Sequence, residues 1–188
     1  YLKSEELDQN ENYLASKVNK EKKIVTLIAG GPNKYYDFND ENIEKIFLKI
    51  KENFIQNGYQ LIFIPSIRTP KRIIKKAGDY FDKNQIIIQD VDKKAYLSSL
   101  KIADHIVITC DSTSMISEAA ISGKPIYVAQ MIAKKKNKRF KQFFNLFETL
   151  NIIKNLQDKI EHWEYKKLDE TNRISSYIKE KINNYDFS

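Results

Sequence analysis

Three short segments of this chain carry residue types that hold phosphate. They are Gly30-Gly31-Pro32-Asn33-Lys34, Ser66-Ile67-Arg68-Thr69 and Cys110-Asp111-Ser112-Thr113-Ser114-Met115. Each is small, polar or both, and each follows an apolar run. The third opens a helix with three hydroxyls and several free backbone N–H groups. Such a start favours an anion, because its N–H groups and the helix dipole both point at it. Glu118 lies four residues after Ser114 and shares its face. An acceptor one turn from a phosphate site suits ribose hydroxyls. The bland alternative is that Asp111 and the serines only cap the helix and that Glu118 is a surface residue. Arg68 could grip a diphosphate through its two-pronged guanidinium, or lie in a polar surface loop. The Gly30-Gly31 pair would let a ligand approach the backbone closely.

Other chemistries have little support. The chain has neither GxGxxG nor GxxxxGK[ST], so a dinucleotide fingerprint and a P-loop are disfavoured. No HExxH, nucleophile-elbow or paired-carboxylate pattern occurs, and there is no clustered set of metal ligands. His105 and His162 read as structural residues. Cys110 has no matched His to activate it. The Tyr35-Tyr36 pair could stack on a base or pack over its own loop.

The elements that must position these segments are legible from apolar periodicity. Continuous apolar runs at 24–29, 60–65, 86–88, 106–109 and 126–129 read as five strands covered on both faces. Between them lie helices: 39–56, one from Thr69 (N-cap) and Pro70 (first position), 93–102, and 111–122 closed by Gly123. Further helices follow around 138–150 and 170–183, with an ill-defined connection over 151–169. Strand and helix alternate, which makes the fold class α/β: a doubly wound parallel sheet of Rossmann type. Ligands of such sheets bind beyond the carboxyl ends of the strands, where the three segments fall. Residues 1–21 read as a linker or interdomain helix, 22–150 as the Rossmann-like domain, and 151–188 as its helical C-terminal extension.

Composition narrows the class. The chain has 188 residues, 41% of them hydrophobic, and a single cysteine. That excludes a disulfide scaffold and suits a reducing compartment. No apolar run approaches the roughly 20 residues of a membrane-spanning helix. The net charge of +7 invites a nucleic-acid reading, but only four of the 32 basic residues are arginine. Most of the lysines read as solvated helix faces, which makes nucleic acid a poor candidate partner. The densest run, Lys134-Lys135-Lys136 with Lys138 and Arg139, could touch phosphates or an anionic membrane surface, or equally be a mobile loop. The expected location is cytoplasmic, with a peripheral position at the inner face of a membrane as its extension.

In order, the chain reads GGPNKYY (30–36), SIRTP (66–70), DSTSMISEAA (111–120) and GKP (123–125). These segments resemble the mitochondrial-fission family of plant elongated-mitochondria proteins and its bacterial relatives. Lys138-Arg139-Phe140 with Phe143-Phe144 is similar to a basic-Phe element of that family, and Leu168 to Ile174 to the start of its C-terminal helix. The resemblance covers about residues 22–183. It implies a GT-B-type glycosyltransferase architecture, with this chain as the C-terminal, donor-binding half. The partner would then be the N-terminal half, which holds the acceptor and the catalytic base; the acceptor itself is unknown. The ligand implied is a nucleotide sugar, with no tightly bound cofactor and no metal. Its diphosphate would be held by Gly30, Gly31, Asn33, Lys34, Ser66, Arg68, Thr69, Asp111, Ser112, Thr113, Ser114 and Met115. Its ribose would be held by Glu118, and Arg139 and Phe140 are further candidates. The alternative on the same scaffold is a non-catalytic, fission-type interaction protein. Three positions depart from the family pattern: Ile67 for a second Arg, Asn33 for Ser, and Tyr35 for His.

Overall fold

The computed structural model describes residues 2–157 and 159–168. The helix expected at 170–183, and the Leu168–Ile174 motif beyond Leu168, lie outside the described residues. Six strands form one parallel sheet: β1 (Lys23–Ala29), β2 (Tyr59–Pro65), β3 (Ile86–Ile87), β4 (His105–Thr109), β5 (Ile126–Ala129) and β6 (Ile153–Asn155). Their order is β3-β2-β1-β4-β5-β6. The sheet is therefore the doubly wound α/β sheet that the alternation predicts. The strand order reverses at the β1–β4 pair, the topological switch point where such sheets bind ligands.

Every residue of β2, β4 and β5 is buried, and so is all of β1 after Lys23. Both faces must then be covered, as continuous rather than alternating hydrophobicity requires. On one side α3 (Asp40–Asn53) buries Ile43, Ile46, Phe47 and Ile50, at helical spacing. It packs on α4 (Lys71–Tyr80), which buries Ile73, Ile74 and Ala77. Elsewhere α5 (Lys93–Ile102) buries Ala95, Leu97 and Leu100. Removing one such side chain, for example Ile62→Ala, costs about 2–5 kcal/mol.

Helix starts follow local chemistry. The Asn39 side chain accepts from the Asn42 N–H and starts α3, and Asp92 accepts from the Ala95 N–H and starts α5. Gly58, after the 3-10 turn at Ile55–Asn57, takes φ +84°, a left-handed backbone that only glycine adopts cheaply. Residues near the N-terminus form α1 (Ser4–Asn10) and α2 (Asn12–Ala15), which pack on α5 through buried Leu7 and Leu14. The Leu14 N–H donates to Ser98 Oγ at 3.0 Å.

The structure departs from the sequence expectations in three places. Strand β6 lies inside the segment read as an ill-defined connection. It is three residues long, two of them polar, so it gives no periodic signal. Helix α4 begins at Lys71 with Pro70, not Thr69, as its N-cap. Helix α6 spans only Thr113–Ala119, with Ser112 as N-cap, and continues as a 3-10 turn at Ala120–Ser122. Asp111 therefore lies outside the helix. After β5, α7 (Lys138–Thr149) starts from an Asn137 cap. No helix among the described residues is long and apolar enough to cross a membrane.

Candidate functional site at the carboxyl ends of the strands

The loops after β1, β2 and β4 meet around one carboxylate. Asp111 Oδ2 accepts from the Gly31 N–H at 3.0 Å and from Arg68 Nη2 at 2.8 Å. Asp111 Oδ1 accepts from Thr109 Oγ1 at 2.7 Å. Thr109 Oγ1 in turn accepts from the Gly30 N–H at 2.8 Å. The other prong of Arg68 donates from Nη1 to the Gly31 carbonyl at 2.8 Å. The Asp111 side chain is 0% exposed and that of Arg68 36%. A buried carboxylate is tolerated only when donors replace its water, and here backbone, hydroxyl and guanidinium all do so.

This clasp explains the glycine pair. A Cβ on Gly30 would lie 2.2 Å from Asp111 Oδ2, and one on Gly31 would lie 2.0 Å from the Arg68 carbonyl oxygen. What approaches the Gly30-Gly31 backbone closely is the neighbouring loops. Thr69 joins the same clasp: its Oγ1 accepts from the Ser66 N–H and lies 2.7 and 2.6 Å from the Ala29 and Gly30 carbonyls. That bonding takes the hydroxyl away from the helix start and leaves Pro70 as the cap. Asp111, expected on the ligand, is the anchor of this clasp: its carboxylate oxygens accept from these donors and its side chain is fully buried. The two prongs of Arg68 expected on a diphosphate are likewise engaged within the clasp.

The remaining predicted residues fall into three groups. Asn33 holds its own turn: Nδ2 donates to the Asp111 carbonyl, and Oδ1 accepts from the Tyr35 and Tyr36 N–H groups. Lys34 Nζ lies 4.9 Å over the Tyr35 ring. The Phe140 ring packs against Tyr35 and Tyr36 at centroid distances of 5.5 and 5.7 Å, so this tyrosine pair covers its loop. Arg139 is exposed at the start of α7. Ser112, Thr113 and Ser114 form the start of α6, with Ser112 Oγ accepting from the Met115 N–H at 3.5 Å.

The third group faces a cavity of about 420 Å³. Ser66, Met115 and Glu118 line it, and so do Val91, Tyr96 and Leu97, which sequence reasoning missed. Leu2 and Glu6 of the N-terminal segment close one side, and Glu6 pairs with Lys93 at 3.2 Å. Tyr96 lies within an ordinary amphipathic helix, and no motif marks it. Its hydroxyl donates to Glu118 Oε2 at 2.8 Å. Burial, and then the Glu118 charge, push the Tyr96 phenol far above its usual value, so it remains a donor.

Cys110 is buried and accepts from the Met131 N–H at 3.3 Å; burial pushes its thiol up to about 11. It has no nucleophile's environment. His105 is at the opposite, amino end of β4. It packs among Phe54, Tyr59 and Tyr127, with Nε2 3.0 Å from the Glu161 carbonyl. Burial lowers its pKa.

The family described as Mitochondrial fission ELM1 matches residues 1–182. The chain belongs to this family. It is 30% identical over 165 residues to an uncharacterized protein, RP120, of Rickettsia prowazekii, covering 84% of this chain and 46% of that protein. It is 29% identical over 122 residues to the mitochondrial fission protein ELM1 of Arabidopsis thaliana, covering 62% of this chain and 28% of that one. The chain thus spans half or less of the length of these relatives. Among solved structures, a putative UDP-N-acetylglucosamine 2-epimerase from Listeria monocytogenes superposes with a TM-score of 0.53 at 14% identity. That match covers 96% of this chain and 52% of the other. The UDP-GlcNAc 2-epimerase of Neisseria meningitidis, solved with UDP-GlcNAc bound, gives 0.50 at 15% identity over 92% and 39%. At this identity the likeness is one of fold. This family member has the doubly wound architecture of those proteins, with its cavity at the carboxyl edge of the sheet.

Proposed function

We propose that this chain is the nucleotide-sugar-binding half of a GT-B-type enzyme, with glycosyl transfer as the reaction. The observation that carries the reading is Glu118. Its carboxylate lines a cavity beside the switch point of the sheet, one turn beyond Ser114 in the helix that Ser112 caps. Glu118 would accept from the ribose hydroxyls. The N–H groups and hydroxyls of residues 112–114, with Ser66, would meet the diphosphate. These donors are fixed before ligand arrives, because the clasp around Asp111 holds the loops that flank them. A leaving nucleoside diphosphate gains negative charge, and donors already in place stabilise that charge without reorganising. Arg68 contributes by bracing Gly31 and Asp111 with its two prongs. In this reading residues 1–21 link to an N-terminal half that brings the acceptor and the catalytic base. Three apolar side chains on the strand-end rim, Ile67, Val91 and Ile132, are 87%, 61% and 71% exposed and would face that half.

The test is thermal. A nucleoside diphosphate at about 100 times its Kd adds about 2.7 kcal/mol to the folded state. In a domain of this size that raises the melting temperature of the intact protein by about 5–10 °C. Glu118→Ala should remove most of the shift. Absence of a shift with every nucleoside diphosphate would overturn the proposal. One observation favours a second reading, an interaction module at an anionic surface: Lys135, Lys136, Lys138 and Arg139 are all exposed beside Ile132. Liposome binding that survives Glu118→Ala but is lost when these charges are neutralised would favour it.

A further inference from the structure

Glu118 reaches its cavity from α6, and Tyr96 reaches the same cavity from α5. The contact between them ties two walls together through a single donor. A half-buried carboxylate needs at least one donor to offset its lost water. An Arg or Lys in that place could engage both oxygens and draw the carboxylate away from a ligand. The phenol engages one. Tyr96 donates to Oε2, and among the described residues no hydrogen bond reaches Oε1. The cation of the lining, Lys93, is paired with Glu6. Glu118 is therefore oriented by a neutral group and keeps one oxygen available to the cavity.

We infer that Tyr96 is a positioning residue for ribose recognition, locking the Glu118 rotamer so that Oε1 is presented to the vicinal hydroxyls of a nucleoside diphosphate. This rests on the function proposed above. In an unliganded site a freely rotating Glu would lose side-chain entropy on capturing the ribose, and the Tyr96 hydrogen bond removes that loss beforehand. The discriminating property is the preference for ribose over a sugar without those hydroxyls.

The experiment uses calorimetry on the intact protein. UDP, CDP, ADP and GDP are titrated first, and then the 2′,3′-dideoxy form of whichever binds. Wild type should prefer the ribose form by about tenfold or more, the effect of one hydrogen bond to a charged group. Tyr96→Phe removes only the hydroxyl. It should weaken the ribose ligand about three- to tenfold and leave the dideoxy ligand within twofold. In a Glu118→Gln background, Tyr96→Phe should have little further effect. A merely structural role for Tyr96 would weaken both ligands equally, and that result overturns the inference. So does a Tyr96→Phe protein that keeps the full ribose preference, in which case Glu118 binds ribose without help. Failure of wild type to bind any of the four diphosphates overturns the functional proposal, and this inference with it.

Discussion

Asp111→Ala tests whether the strand ends are held as described. The substitution leaves the buried Gly31 N–H and the Thr109 hydroxyl without their acceptor. Each orphaned buried donor costs about 1–3 kcal/mol. Removing one member of a buried pair costs about 3–5 kcal/mol when it strands a charge. Here the Arg68 side chain is 36% exposed and still donates to the Gly31 carbonyl, so its charge is only partly stranded. The expected total is at the low end, about 3 kcal/mol. For a domain of this size that is a fall in melting temperature of about 6–12 °C. Asp111→Asn keeps the volume and one acceptor and should cost about half as much. Arg68→Ala in the Asp111→Ala background should cost less than Arg68→Ala alone, because the two share one network. Differential scanning calorimetry on wild type and the four variants measures all of this. An Asp111→Ala protein that melts within about 2 °C of wild type would refute the clasp, and with it the claim that the loops are preorganised.

Other expectations follow from the same geometry. Gly31→Ala should destabilise by several kcal/mol in chemical denaturation, because its Cβ would sit 2.0 Å from a backbone oxygen that cannot swing aside. Burial lowers the pKa of His105, so the unfolded chain takes up its proton first as the pH falls. The melting temperature should then fall as the pH drops below about 6.5, and His105→Gln should flatten that slope. Cys110, pushed up to about 11, has the opposite window: the unfolded thiol ionises first, so stability is lost as the pH rises from about 9 toward 11. At neutral pH its alkylation should require unfolding, and fast reaction of the folded protein with iodoacetamide would contradict the buried assignment.

Much of the architecture was legible because burial on both faces leaves continuous apolar runs. Ile24–Ala29, Leu61–Ile64 and Ile106–Thr109 are strands for that reason, and the alternation with helices such as 39–53 dictates a parallel sheet. β6 was not legible, because an edge strand of Ile-Lys-Asn has too few buried positions to carry a period. At the site, residue types picked out the loops after β1, β2 and β4, which the fold brings together around Asp111, but not the contacts those residues make with one another. Gly30, Gly31, Arg68 and Asp111 read as ligand contacts because phosphate sites and loop clasps draw on the same chemistry: small residues, cations and aligned N–H groups. Only the fold shows which partners they take. Thr69 is a similar case, since a hydroxyl before Pro reads as a helix cap until a carbonyl 40 residues away competes for it. Tyr96 had no local signal at all; its role depends on α5 and α6 meeting across the cavity.

The central claim is that a nucleoside diphosphate binds at Glu118 and the start of α6. Amide chemical-shift mapping of the intact, isotope-labelled protein during titration with UDP, CDP, ADP and GDP tests it most directly. The account predicts saturable shifts, for at least one of the four, at Ser66, at Val91, along 112–118 and at Tyr96, with none on the α3–α4 surface around Leu48 and Arg72. Saturable shifts confined to that surface or to the Lys134–Arg139 loop, or no saturable shift with any of the four, would contradict it.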